Sequence, residues 1–189
     1  TGYKICAEQL AFIKELSTFR HGALGLPGHS GPELPPYVEG MSDDERKATR
    51  RQRALCYAQR RLWRGQRTRL LSNLSILNHY RCKEVFFNVN ADFRGRLYPE
   101  AEVISYQGPD WLRSLWEFSE GQPIKTEGDS DWLYIHAANC YGLSREPYHH
   151  RIAFIRERLE LYRVCVFDPV VCLHILEKAA DPFRFLAAI

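Results

Sequence analysis

The chain has 189 residues, of which 45% are hydrophobic and 13% aromatic, so it can bury a core and is not a disordered polypeptide. Its 26 Lys and Arg residues are nearly balanced by 23 Asp and Glu residues, and the formal charge is only +3. No apolar run approaches the roughly 18–20 residues that a membrane-spanning helix needs. We therefore expect no membrane partner.

The first of four predicted segments, 1–41, combines a helix with a connector. Residues 3–20 carry apolar side chains at helical spacing. Residues 21–41 are interrupted repeatedly by Gly and Pro, which is typical of a connector rather than of a packed element.

The second segment, 42–84, is predicted to be dominated by one long helix that ends near residue 77. Ser42 and Glu45 are spaced as a capping box, in which each residue satisfies a free N–H of the first turn. An apolar stripe at roughly heptad spacing follows and predicts a packing face. Its members are Ala48, Leu55, Leu62, Leu70, Leu74 and Leu77.

The same helix carries most of the positive charge. Ten basic residues and no acidic ones stand between Arg46 and Arg69, which leaves 16 basic against 23 acidic residues in the rest of the chain. Like charges three or four residues apart repel each other on a helix, so this pattern favours a partner that neutralises them, most often phosphate. A solvated surface helix is the alternative.

The third segment, 85–107, is predicted to hold a strand at 85–90, a loop at 92–96 and a further extended piece. In the loop, Gly95 permits a tight turn, and the flanking Arg94 and Arg96 suit phosphate or a base edge. Asp92 is positioned to orient one guanidinium. The alternative is a strand-end turn with a purely structural Asp–Arg pair.

The fourth segment, 108–189, reads as short helices, so the expected fold class is mainly α with a small β element (α+β). One helix is predicted from Pro109 to Gly121, and a second from after Ser130 to Gly142. A third covers about 152–162. Two more open after Asp168 and at Asp181.

Catalytic and metal-binding patterns are weak. The six cysteines are scattered without a CxxC pair, which favours reduced thiols. His136 and Cys140 lie four residues apart, but two ligands cannot close a zinc site, so we interpret them as buried structural residues. Asp129 and Asp131 are assigned to helix capping. A free-standing zinc protein or Cys/His hydrolase remains an alternative.

The stretch Asp92–Pro99, DFRGRLYP, resembles the DFRGR-x-YP motif of single-subunit, phage-type DNA-dependent RNA polymerases. Further segments are similar to that family and follow in its order. They are YQGPD at 106–110, FSEGQPI at 118–124, WLYIHAANCYG at 132–142, RIAFI at 151–155 and DPFRFLA at 181–187. The resemblance covers about 34–189 and is weaker over 1–33.

The resemblance implies thumb-side helices, the first palm strand and the helical palm insertion of a right-hand polymerase. It implies DNA-template and RNA–DNA hybrid contacts, with ribonucleoside triphosphates and the remainder of the polymerase chain as further partners of the full enzyme. By this likeness the nucleic-acid-binding residues are Asp92, Arg94, Gly95, Arg96 and Tyr98 in the loop, with Arg64, Arg67 and Arg69 before it.

The family's two metal-binding aspartates stand in DGS-x-x-G-x-QH and HDS motifs, which this sequence lacks. We therefore expect an internal fragment that is inactive alone, no metal or catalytic residue within it, and Mg²⁺ in the complete enzyme. The alternative is a non-catalytic polymerase remnant that binds nucleic acid or serves a structural role. The expected location is intracellular and mitochondrial, with phage-infected cytoplasm or chloroplast as alternatives.

Overall fold

The structure is a computed structural model, and it describes residues 1–20, 22–28, 31–101 and 103–189. Two antiparallel pairs of short strands accompany the helices, so the expectation of a mainly α fold with a small β element is confirmed. The elements in chain order are β1 Tyr3–Ile5, α1 Ala7–Phe19, a 3₁₀ turn Ala23–Gly25, α2 Asp43–Tyr80, β2 Val89–Ala91, β3 Leu97–Pro99, α3 Asp110–Arg113, β4 Trp116–Phe118, α4 Glu127–Tyr141, α5 Tyr148–Arg156, α6 Leu159–Phe167, α7 Leu173–Leu176 and α8 Pro182–Ala188.

Helix α2 begins with the predicted capping box. The Ser42 hydroxyl accepts from the Glu45 backbone N–H at 3.3 Å, and the Glu45 carboxylate accepts from the Ser42 N–H at 2.7 Å. From there 38 residues continue to Tyr80, a length of about 57 Å at 1.5 Å per residue. The helix is therefore a long rod whose start was predictable from local sequence.

The predicted apolar stripe of α2 is buried only in the second half of the helix. Leu70, Leu74 and Leu77 belong to the hydrophobic core, whereas Leu55 and Leu62 are each 66% exposed. The expectation of one continuous packing face is therefore wrong for the first half. The physical reason is that α1 packs against α2, and the core that contains Leu70, Leu74 and Leu77 does not extend to Leu55 and Leu62.

The connector runs antiparallel along the first half of α2. Arg53 Nη1 donates to the Pro35 carbonyl at 2.7 Å, and Arg60 Nε donates to the Pro32 carbonyl at 2.9 Å. Arg67 Nη1 reaches the Pro27 carbonyl at 3.3 Å. Because these arginines are spaced seven residues apart, they share one face of the helix. Among the described residues, these three arginines therefore hold the connector in place.

The N-terminal segment joins the last segment through a small sheet. Strand β1 pairs antiparallel with β4, with Ile5 opposite Trp116 and Tyr3 opposite Phe118. Tyr3 also forms an isolated antiparallel bridge with Val85. The beginning of the chain is thereby fixed next to the segment that leads into β2.

Several predicted elements differ from the observed ones. The helix expected from Pro109 to Gly121 is a single turn followed by strand β4, because the 116–118 backbone pairs with β1. The strand expected at 85–90 forms later, at Val89–Ala91.

The helices after residue 120 also differ in their bounds. Helix α4 begins earlier than expected, with Thr126 and Asp129 forming its capping box. The third helix divides into α5 and α6 around Glu157 and Arg158.

The helical segment packs into one core with α1 and the end of α2. Its most buried large side chains include Leu115, Ile155, Leu176, Phe183 and Phe185. Tyr141 lies against Phe185, with ring centroids 5.3 Å apart. None of the helices in the described ranges combines the length and apolarity needed to cross a bilayer.

Candidate nucleic-acid interface

The predicted arginine loop is the tip of a β-hairpin. Strands β2 and β3 pair with Ala91 opposite Leu97, and the Asp92 N–H donates to the Arg96 carbonyl at 2.9 Å. The Gly95 N–H closes the turn onto the Asp92 carbonyl at 3.0 Å. Gly95 has a φ of +76°, the left-handed conformation that side chains disfavour, and no atom lies within 4 Å of where a Cβ would be. Glycine is therefore needed for its backbone conformation, as in a type I turn that ends in a left-handed residue.

The Asp92 carboxylate organises this tip. Its Oδ1 accepts from the backbone N–H of Arg94 at 2.8 Å and from that of Arg96 at 2.9 Å. Its Oδ2 lies 3.7 Å from Arg94 Nε. Asp92 thus holds the backbone on which both arginines stand, and it contacts one guanidinium more loosely. Two alternative roles for Asp92 follow from the sequence, orienting a guanidinium or forming a structural Asp–Arg pair at a turn. In the structure Asp92 has both roles.

The tip presents an aromatic ring together with its cations. Phe93 is 92% exposed, and the Arg94 guanidinium lies over its ring at 4.9 Å. Tyr98, on β3, is also exposed. Stacked Arg and aromatic surfaces of this kind suit bases as well as phosphates. Phe93 was not among the predicted contact residues, although an aromatic residue between Asp92 and Arg94 in a polar loop was a signal that could have identified it.

An aromatic cluster supports the base of the hairpin. Phe87, just before β2, contacts Tyr106 and Trp116, with ring centroids 5.4 Å and 4.9 Å apart. Tyr3 stacks on Tyr106 at 5.4 Å. Both ends of the hairpin are therefore held against β1 and β4, and the tip projects from a packed base.

The predicted α2 residues fall into two environments. Arg64 and Arg69 are exposed, whereas Arg67 is half-buried and donates to the connector carbonyl of Pro27. The other seven basic residues of the window are exposed. They are Arg46, Lys47, Arg50, Arg51, Arg61, Arg64 and Arg69.

A cavity of about 480 Å³ lies between α2 and the segment that follows the hairpin. Arg69, Asn73 and Gln107 line it, and Asn73 Nδ2 donates to the Val103 carbonyl at 3.1 Å. Gln107 Nε2 lies 3.5 Å from the Leu97 carbonyl on β3. The Arg69 turn of α2 is thus coupled to the hairpin through this segment. Asn73 and Gln107 were not predicted, because their contacts span distant parts of the sequence.

Within the described residues, the cysteines and histidines are not arranged as a reactive site. Cys140 is buried, as expected, Cys165 and Cys172 are also buried, and all six cysteines are free. Burial, together with the neighbouring Cys172 thiol, raises the pKa of Cys165 to about 12, so its thiolate is scarce near neutral pH. His136 is exposed, with Nε2 3.7 Å from the Cys140 sulfur, so the expectation of a buried histidine is wrong.

The two carboxylates that were predicted to cap a helix, Asp129 and Asp131, have different roles in the structure. Asp129 completes the capping box of α4, as expected, and its hydrogen bonds with the Lys125 and Thr126 N–H groups lower its pKa. Asp131 instead forms an ion pair with Arg156 at 2.7 Å. Within the described part of the chain, no three His, Cys, Asp or Glu side chains are grouped to hold a metal ion.

Comparisons with known proteins identify the chain's relatives. The family model for DNA-dependent RNA polymerase matches residues 123–189. The polymerase of Escherichia phage T7 is 31% identical over 99% of the chain, and that of Enterobacteria phage K11 is 30% identical over 99%. The human mitochondrial DNA-directed RNA polymerase is 39% identical over 87%.

The chain covers only a small share of the length of each of these relatives. The chain spans 21% of the phage polymerases and 14% of the human one, so it corresponds to about a fifth or less of these relatives. The arginine hairpin precedes the family-model match but falls within the nearly full-length similarity to the phage enzymes. By its sequence, the chain belongs to the phage-type DNA-directed RNA polymerase family.

Proposed function

We propose that this chain contributes contacts to the DNA template and the RNA–DNA hybrid within a DNA-directed RNA polymerase. The observation that carries this proposal is the hairpin tip, where one carboxylate orders a loop that presents two arginines and an exposed phenylalanine. Ordering the loop before binding lowers the entropy that the complex must lose. The proposed contact residues are Asp92, Arg94, Gly95, Arg96, Tyr98, Arg64, Arg67 and Arg69.

Within this proposal the hairpin and α2 have different roles. Arg94 and Arg96 bind phosphate oxygens or base edges at fixed positions, because the Asp92 carboxylate holds their backbone. The exposed basic residues of α2 supply a row of charge that binds the phosphate backbone without reading sequence. Arg67 is a member of this row and also supports it, because its hydrogen bond to the Pro27 carbonyl holds the connector against α2.

We propose that nucleotidyl transfer itself depends on Mg²⁺ and on residues outside this chain. Two divalent ions in such a reaction would stabilise the attacking and leaving oxygens. Three aspartates of this chain are already engaged, since Asp92 accepts backbone N–H groups and both Asp110 and Asp131 are paired with arginines. The chain alone is therefore expected to bind nucleic acid without polymerising ribonucleoside triphosphates.

We also propose an intracellular, mitochondrial location for the parent protein. The similarity to mitochondrial DNA-directed RNA polymerases, which reaches 39% identity over 87% of the chain for the human enzyme, supports this assignment. Fractionation of cells that express the gene, with an antibody against this segment, would test it. Recovery from the cytosol or from plastids would contradict it.

Single substitutions at the hairpin tip test the proposed contacts. We expect Arg94→Ala and Arg96→Ala each to weaken binding of the chain to an RNA–DNA hybrid about tenfold, which corresponds to about 1.4 kcal/mol. Fluorescence anisotropy of a labelled hybrid measures the affinity. Arg163→Ala is the matched control, because that exposed arginine lies on α6 and pairs with Glu160. Equal affinities for the three variants and the unsubstituted chain would contradict the proposal.

A further inference from the structure

The first half of α2 presents a row of residues spaced alternately three and four positions apart. They are Ala48, Arg51, Leu55, Ala58, Leu62 and Gly65, and all of them are exposed. We call this row the α2 seam. Its spacing is that of the a and d positions of a coiled coil, which face a second helix. Exposed apolar side chains ordinarily occur singly on a surface, so an aligned row of them indicates a docking face.

The shape of the α2 seam suits a second helix. Leu55 and Leu62 are each 66% exposed, and each is followed along the seam by a small residue, Ala58 or Gly65. Glycine weakens a helix interior. Apart from its chain neighbours and the backbone of its own helix, nothing described lies within 4 Å of where the Gly65 Cβ would be. Packing within the described chain therefore does not require a glycine here, whereas close approach of another backbone does.

A depression beside Leu62 adds a place for an anchoring side chain. Its volume is about 400 Å³, and its other walls are Pro32, Gln59, Trp63 and Gln66. A large apolar side chain from a helix that lies along the seam can occupy this depression, as anchor residues do at protein interfaces.

The residues beside the α2 seam specify the charge of its partner. In the heptad that places Leu55 at a, the g positions include Lys47 and Arg61, and the e positions are Gln52, Gln59 and Gln66. Among the described residues, neither Arg51 nor Arg61 has an acidic partner. A second copy of α2 would place basic residues against basic residues, since no acid stands between 46 and 69. Carboxylates on the partner would instead pair with them.

The α2 seam is separate from the arginines of α2 that point to the opposite side. Arg46 and Arg64 each lie nine residues from Leu55, which is about 180° around a helix of 3.6 residues per turn. Phosphates bound on that side leave Leu55 and Leu62 uncovered. We propose that the α2 seam docks an acidic amphipathic helix of a partner protein, with apolar residues at heptad spacing and carboxylates beside them. Nucleic acid and this partner then occupy opposite faces of one helix.

The test uses a fluorescein-labelled synthetic peptide of about three heptads, with Leu at a and d, Glu at e and g, and Ala elsewhere. Its glutamates repel one another, so it does not pair with itself. We expect saturable binding when the peptide is titrated with the 189-residue chain and its anisotropy is measured. A matched peptide with Ser in place of every Leu keeps all the carboxylates, and we expect it to bind at least tenfold more weakly.

Substitutions in α2 locate the binding face. Leu55→Gln and Leu62→Gln should each weaken binding of the Leu peptide at least fivefold and leave the affinity for an RNA–DNA hybrid unchanged. Tyr57→Gln is the matched control, because Tyr57 is 54% exposed and lies about 200° around the helix from Leu55. It should leave peptide binding unchanged.

Four results would overturn the proposal. The first two are the absence of saturable binding and equal affinities for the two peptides. The third is an equal loss of peptide binding in Leu62→Gln and Tyr57→Gln. The fourth is a loss of hybrid binding in Leu62→Gln as large as its loss of peptide binding, which would assign the α2 seam to nucleic acid.

Discussion

The Asp110 carboxylate links two segments that are distant in the sequence, YQGPD at 106–110 and DPFRFLA at 181–187. Its carboxylate accepts from the Phe183 N–H at 2.8 Å and from Arg184 Nε at 3.0 Å. Arg184 also contacts Asp181, and the side chains of Arg184 and Asp110 are only 20% and 19% exposed. The sequence predicts Asp110 only as a member of the helix that begins at Pro109. Its partner lies 74 residues away, so no local pattern predicts this second role.

Removal of the Asp110 carboxylate is expected to destabilise the fold. Asp110→Ala leaves the backbone N–H groups at the start of α8 unpaired, and a buried donor without a partner costs roughly 1–3 kcal/mol. Urea denaturation followed by circular dichroism measures the loss. Glu160→Ala is the control, because that 84% exposed carboxylate pairs with Arg163 on the surface and contributes little. Similar denaturation midpoints for the two variants would contradict the assigned role.

Among the elements, α2 shows which features were predictable. Its beginning was predicted because the capping box of Ser42 and Glu45 is local, and its helical periodicity was correct. The exposure of the apolar stripe in the first half of α2 was not predictable. In the sequence, the part of the stripe around Leu55 has the same apolar spacing as the part around Leu77. Which half is covered depends on tertiary packing. Strand β4 was missed for the same reason, because its partner β1 lies at the opposite end of the sequence.

The two halves of α2 are expected to respond differently to the same substitution. Leu77 is fully buried, so Leu77→Ala should lower the free energy of unfolding by about 2–5 kcal/mol. Leu62 is 66% exposed, and Leu62→Ala should change it by about 0.5 kcal/mol or less. Chemical denaturation compares both variants with the unsubstituted chain. A loss at Leu62 as large as that at Leu77 would show that the first half is covered.

At the scale of the whole molecule, the positive charge is concentrated on α2 and the rest of the chain is acidic. The overall +3 arises from a strongly basic α2 on an otherwise acidic body, and the structure divides the basic residues further. Arg53, Arg60 and Arg67 hold the connector, while the remaining basic residues of the window are exposed. The sequence predicts the basic helix and the arginine loop at 92–96, but not this division, because proline carbonyls as hydrogen-bond partners leave no charge pattern.

The dependence of hybrid binding on salt tests the central claim most directly. If the hairpin tip and the exposed face of α2 bind phosphates, the logarithm of the association constant should fall linearly with the logarithm of salt concentration. We expect a slope of roughly −3 or steeper, since each neutralised phosphate contributes nearly one unit. Anisotropy titrations of an RNA–DNA hybrid between 50 and 200 mM salt measure it, roughly the range over which phosphate contacts weaken strongly. A slope near zero would contradict a nucleic-acid-binding role for this surface.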